Sequence, residues 1–492
     1  MAYNAIGAYD ARSIYPEFKG LAQYGDHVNT DPRYASEAEN METIGGVLQP
    51  CAKCQVLTPQ LASPIETLAR LYRRWYTGTD EKELLIAASG GNLYYMLPTS
   101  SAWTQLTLPS GTAQSNVWSY AAYEINPAGS TSPVDVLLMS NAYDGMIMIR
   151  GDDMTVSTVA TPKKFGVIER YAERIWGGAI LDDPDMLVYS SPFDPTNWEL
   201  NTESPEDGAG DVSQPSWDGD SFTALRSFGS QLIAFKGSRV WRIMGTNPGE
   251  YAFKEQYGGG APYFNTIAVD SERIFLLERT GVMVYDGLTV KPFYQAFAID
   301  VFAQMNKAAL SQSCAALWKG KYYCAFPLGN ATANNAVLIY STEDNTWLLR
   351  TDVYVESFLP AEDKLYFTSS TTPGRIWLWS ENEWETRQAT SARSKWVSPW
   401  NDLGYKNYIK GNFDVYLTLE CVGTATISIS IETERKTKTK TYTSSDSSGE
   451  AKQKRMHFGG SGRRFRLIIE SAGNFVWRIV GGITVISEID QD

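Results

Sequence analysis

Chemistry needs particular side chains at particular spacings, and this chain offers few such sets. Cys51 and Cys54 form a C-x-x-C (CAKC), a spacing that suits redox exchange or half of a zinc site. A structural zinc wants four ligands, yet Cys314, Cys324 and Cys421 follow no framework spacing and the only histidines are His27 and His457. The five thiols therefore read as reduced and partly buried, with no metal ligand and no cofactor-binding residue assigned. Two distant histidines leave little material for Ser-His-Asp or Cys-His nucleophiles, and the P-loop, dinucleotide-binding glycine and G-x-S-x-G patterns are absent from the sequence.

Carboxylates survive longest as candidates, because glycoside hydrolysis requires only two acids flanking a cleft. They lie in ILDDPD (180–185), ESPEDGAGD (203–211) and SWDGD (216–220), with Asp183, Asp185 and Asp218 as the acids a test would replace. Acids beside Pro and Gly more often cap turns and solvate loops. The expectation is a protein that is not an enzyme, with no catalytic residue. STEDNTW (341–347) approaches the S-x-D-x-G-x-x-W aspartate box of sialidase propellers, but its glycine is missing and its aspartate displaced.

The elements that would position such residues announce themselves by repetition. AVLIYSTEDNTWLLR (336–350) is an apolar run, a polar turn, an aromatic and a second run, and kindred phrases stand at 84–108, 186–200, 231–243, 274–287 and 364–385. Turns at SGGN (89–92), NAYDG (141–145), KGS (236–238), RTG (279–281) and TEDN (342–345) supply the Gly, Asn and Asp that tight antiparallel hairpins demand. A period of about 40–50 residues is that of a four-stranded propeller blade. Aromatic content of 13%, with 28 Tyr and 15 Trp, favours strands for the same pleated-surface reason. The fold class expected is all-β: a β-propeller of about six to eight blades over 81–394. Trp103, Trp198, Trp241, Tyr285, Trp347 and Trp384 close the phrases and are expected to fill space between blades.

Flanking the repeats, residues 1–80 read as an N-terminal arm leading into the first blade. Residues 395–492 alternate cleanly in YIKGNFDVYLTLECVGTATISISIETERK (408–436) and FRLIIESAGNFVWRIVGGITVIS (465–487), which predicts a C-terminal β-sandwich. Its segment 434–455, with seven Lys and Arg against three acids, reads as an exposed basic hairpin tip. Overall charge is −13, from 43 basic and 56 acidic residues, which argues against tight binding of nucleic acid. No run reaches the roughly 18 apolar residues of a membrane helix, and the start MAYNAIGAYDARS lacks signal-peptide order, so a soluble, cytosolic beginning is expected.

Three stretches resemble the tail nozzle and tail-tube β-propeller virion proteins of short-tailed bacteriophages. EAENMETIGGVLQPCAKC carries Asn40, Gly45 or Gly46, and Leu48 of a segment that precedes the first blade in that family. Ser190, Asp194, Pro195 and Trp198 match a blade ending in S-x-x-x-D-P-x-x-W; Phe235, Lys236 and Trp241 match the following blade, and GVMVYDG (281–287) continues it. The resemblance covers about residues 35–300 and the sandwich-like end. It implies a virion tail protein assembled in the host cytoplasm into a homo-oligomeric, six-fold ring below the portal and adaptor proteins. Such a ring would anchor fibres or spikes and pass genomic DNA without sequence-specific binding, an acidic wall repelling the duplex. Two alternatives stay open: a baseplate or tail-tip propeller holding receptor-binding proteins, and a glycan-binding or carboxylate-based glycan-cleaving propeller.

Overall fold

The computed structural model describes residues 9–24, 30–78, 82–127, 132–214, 219–256, 259–343, 345–381, 387–444 and 449–490. Hairpins form where the turn chemistry dictates. Gly90 and Gly91 both hold positive φ (57° and 76°) between Glu83–Ser89 and Asn92–Met96, the twist-matched turn that only small residues enter freely. In the phrase at 336–350, Asn345 takes the left-handed conformation (φ 54°) and its side chain accepts the Tyr340 hydroxyl at 2.6 Å; Asp344 lies outside the described residues.

Four such strands at a time make one antiparallel blade, and the strand pairing gives seven blades. Their first strands are Thr67–Tyr72, Ser119–Ile125, Val167–Tyr171, Phe222–Phe228, Ala268–Val269, Cys314–Trp318 and Val355–Pro360. The expected propeller of about six to eight blades is thus borne out as seven. The ring closes through an exchange of chain ends: the outer strand of blade 7 is Gln55–Gln60, which pairs antiparallel with Arg375–Leu378 in the register Val56↔Trp377. Apolar clusters occupy each blade-to-blade boundary, including Ile65, Leu68 and Leu85 against Leu359, Tyr366 and Ile376 between blades 1 and 7.

The aromatic that ends each phrase behaves as expected at five boundaries. Trp103 packs between blades 7 and 1, Trp198 between 2 and 3, Trp241 between 3 and 4, and Tyr285 between 4 and 5. Trp347 fills the space between blades 5 and 6, fully buried against Phe293, Phe302 and Tyr340, and also anchors the N-terminal segment, its carbonyl accepting the Leu21 amide at 2.8 Å. Trp384 lies outside the described residues.

The N-terminal residues are not an arm, and the expected boundary at 80 falls inside blade 1. Tyr9–Tyr15 pairs along Val476–Asp490, and the Met41–Ile44/Val47–Pro50 hairpin joins the same six-stranded sheet with Ile409–Val422 and Lys452–Gly462. Glu37–Glu39 then sits between Thr346–Arg350 of blade 6 and Ser394–Val397, so blade 6 continues into Phe465–Ser471, Ala425–Thr433 and Thr437–Ser444 as one nine-stranded sheet. The C-terminal sandwich is real but contains strands from both chain ends. Its core, with Leu48, Phe413, Ile427, Leu467, Trp477 and Val485, runs without a break into the apolar boundary of blades 5 and 6. Reading strands with their sequence neighbours misses this, because strand pairing satisfies backbone groups with whichever edge is near in space.

Candidate functional site

All seven innermost strands contribute to a central cavity of about 450 Å³. Its walls carry Glu66, Tyr120, Glu169, Arg226 and Glu356. Hydroxyls staple neighbouring inner strands where the blades diverge: the Trp118 amide donates to Thr67 Oγ1 (2.9 Å) and the Ile168 amide to Ser119 Oγ (3.0 Å). Burial raises the Glu169 carboxyl above its usual range, opposed by the Arg226 guanidinium 3.9 Å away and by the Ser227 amide. Glu356 is also raised by burial, and the charge of Glu66 adds to the shift. Three carboxylates against one guanidinium make the channel an acidic, narrow well. A duplex, whose major groove alone is about 12 Å wide, does not fit it. None of these residues stands out in the sequence, since nothing in a strand's alternation tells that it is the innermost of four.

A second concavity, of about 250 Å³, lies between blades 1 and 2 and is lined by Arg70, Tyr72, Arg74, Tyr123, Asp135 and Arg170 among others. At its rim Trp75 is half exposed and Tyr72 nearly so (50% and 45%). The Trp75 indole N–H donates to Glu124 (3.0 Å) and its amide to Asp135 (3.2 Å), while Arg74 bridges the same two carboxylates. Exposed aromatic rings beside fixed carboxylates are the arrangement a sugar platform requires, and sequence alone could not show the exposure.

The acids singled out in the sequence do not converge. Asp182 pairs at the surface with Lys163 (2.9 Å), Asp185 pairs with the buried Lys236 (2.5 Å), and Asp220 caps the turn at Gly237 and Ser238. Asp183 closes a turn through its amide to the Ile180 carbonyl; Asp218 lies outside the described residues. Lys236 of the resemblance is therefore a structural cation joining blades 3 and 4, stacked on Phe222.

Ser190, Asp194, Pro195 and Trp198 turn out to be one loop motif. The Asp194 carboxylate accepts the Thr196 amide and hydroxyl, the Trp198 indole donates to the Pro195 carbonyl, and Ser190 Oγ accepts the Ile175 amide. Arg174, which the sequence reading passed over, holds the base of this loop. Fully buried, its guanidinium donates to the carbonyls of Ser190 (2.7 Å), Gly208 and Glu206 and lies 5.2 Å from the Tyr189 ring. Asn40 is likewise structural: at φ 53° it donates to Thr351 Oγ1 and the Arg393 carbonyl and accepts the Thr351 amide, fastening the N-terminal segment to blade 6.

The C-x-x-C thiols are buried. Burial is the largest influence on both Cys51 and Cys54 and raises both thiols, Cys51 well above the ordinary range, although the Arg350 guanidinium opposes it. His457 sits on an exposed strand face, 3.1 Å from Asp414; His27 lies outside the described residues.

No protein-family model matches the chain, and no curated protein does. Among solved structures it is similar to the WD40 domain of Neurospora crassa Pan2, at 10% identity and TM-score 0.38, over 68% of this chain and 97% of that one. It is also similar to a crystal structure of BBS1N in complex with ARL6DN, at 8% identity and TM-score 0.41, again over 68% and 97%. These likenesses concern the fold alone; the chain is a seven-bladed β-propeller on the strength of its own strand pairing.

Proposed function

We propose that this propeller is a structural subunit of a tailed-phage virion, a nozzle-type ring component that stands below the portal and adaptor and carries fibres or spikes. One observation supports the reading above others: both chain ends are woven into a sandwich that is continuous with blade 6 through a nine-stranded sheet. Such a weld couples propeller and sandwich as one stiff body, which suits a part that must transmit load, whereas tethered domains would swivel. In this role the conduit for DNA is the space enclosed by a ring of subunits, because the propeller's own central cavity is too narrow. The test is electron microscopy of the purified protein, alone and mixed with portal–adaptor complexes. Rings that cap those complexes are the expected result; a monomer that never joins particles would sink the proposal.

A second reading, glycan binding at a host surface, draws on Trp75 and Tyr72 exposed beside Glu124 and Asp135. It predicts retention on a glycan array that Trp75→Ala abolishes. Retention that survives this change would place any sugar site elsewhere.

A further inference from the structure

The strand Thr437–Ser444 ends the nine-stranded sheet, five strands beyond the outer edge of blade 6 and so about 24 Å outward at 4.8 Å per strand. Its free edge is open to pairing. The register Ile429↔Lys440 and Ile431↔Lys438 puts these two lysines on the face that covers the core, and Lys454 approaches from the opposite sheet beside Tyr442. Both Lys438 and Lys440 stay exposed at this edge, with the Lys440 ammonium 5.9 Å from the Phe458 ring of the opposite sheet. Among the described residues, Arg435, Lys436, Lys438, Lys440 and Lys454 have no carboxylate partner. Lysines on an edge deter a like edge, which is their ordinary role, but they attract an acidic surface.

Such a surface lies on the far side of the same molecule. The loop 190–209 of blade 3 and the strand after it expose Glu199, Glu203, Glu206, Asp207 and Asp211 with no basic residue from 191 to 214. Within it Phe193 and Leu200 are 74% and 70% exposed, large apolar side chains that the monomer leaves in water. Blades 3 and 6 stand three apart in a ring of seven, roughly 150° around the axis. Two complementary patches on opposite flanks cannot meet within one chain; between copies they make a head-to-tail contact, the kind that closes into rings.

We infer that the basic edge of the sandwich docks on the blade 3 loop of a second copy of this chain. The inference rests on the ring reading above and names the contact that ring would use. Two full-length variants test it by sedimentation velocity at 50 and 300 mM salt, conditions set about the scale on which screening acts: Lys438→Glu/Lys440→Glu and Glu203→Lys/Glu206→Lys. Wild-type protein associates at the lower salt, and each variant alone associates at least tenfold more weakly. An equal mixture of the two regains association, because each reversed edge then meets a reversed loop. Association untouched by either reversal, or a mixture that stays as weak as its components, overturns this contact and leaves the ring reading to its own imaging test. Wild-type protein that never self-associates at either salt also overturns the contact, while recruitment to portal–adaptor complexes still decides the ring reading separately.

Discussion

Replacing Arg174 by methionine keeps most of the side-chain volume and removes the guanidinium that gathers the base of the blade 3 loop. Three hydrogen bonds from this cation to the carbonyls of Ser190, Gly208 and Glu206 are lost. At about 1.5–3 kcal/mol for a bond to a charged group, the gross loss is roughly 5–9 kcal/mol. Against this stands the relief of several kcal/mol for no longer burying a charge, since among the described residues no carboxylate pairs with Arg174 and its Nε is without a partner. The balance is a local loss of about 2–4 kcal/mol, because the Ser190 and Gly208 carbonyls remain buried, and the Glu206 carbonyl partly so, with nothing to accept. Hydrogen exchange reads it directly. The amides of Ser190, Ser191, Phe193 and Ala209, bonded to the carbonyls of Ile175, Asn197, Glu173 and Glu199, should lose protection by roughly 30- to 700-fold. Amides of blade 5 should not change. Arg174→Lys should recover only part of the loss, since an ammonium cannot span three divergent acceptors with a planar fork. Unchanged protection across 190–209 in Arg174→Met would refute the reasoning, and so would full recovery with lysine.

Three further outcomes follow from the packing. Trp347→Ala should cost about 3–5 kcal/mol by denaturant midpoint, because blade 6 and the N-terminal segment share that ring, while Trp347→Phe should lose about 1 kcal/mol for the indole bond to the Tyr294 carbonyl; equal costs would show that the ring fills nothing. Burial raises Glu169 in the folded state, so its contribution is fully present below the ordinary carboxylate range and is lost as pH rises through the raised value. Glu169→Gln should therefore melt with wild type at pH 4 and above it at pH 8, and a gap that shrinks as pH rises would contradict this. All five thiols are buried, with Cys324 pushed up to about 12, so a thiol reagent at pH 8 should label none of the native protein quickly and five on unfolding; rapid native labelling at Cys51 or Cys54 would reopen the redox reading.

Much of the architecture is legible in the chain itself. Apolar runs broken by Gly, Asn and Asp at fixed intervals specify hairpins locally, because turn conformation and side-chain alternation involve residues only a few positions apart. Gly90, Gly91 and Asn345 sit where such turns are expected, and Trp103, Trp198, Trp241 and Tyr285 pack between blades as their recurrence implies. Alternation after residue 395 likewise announces a second β unit.

Tertiary structure alone decided what those strands meet. Gln55–Gln60 closes blade 7 and Tyr9–Tyr15 lies along Val476–Asp490, pairings across hundreds of residues that leave no local mark. The same holds for function-bearing surfaces. Glu169 and Glu356 matter because their strands are innermost, Asp185 becomes structural because Lys236 reaches it from the next blade, and Trp75 is available because half of it stays exposed. Composition sets the net charge, but only the fold sends the lysines to the outer edge of the sandwich and the acids to a loop on the opposite flank. Periodicity is a property of neighbours along the chain; exposure, partnership and enclosure are properties of neighbours in space.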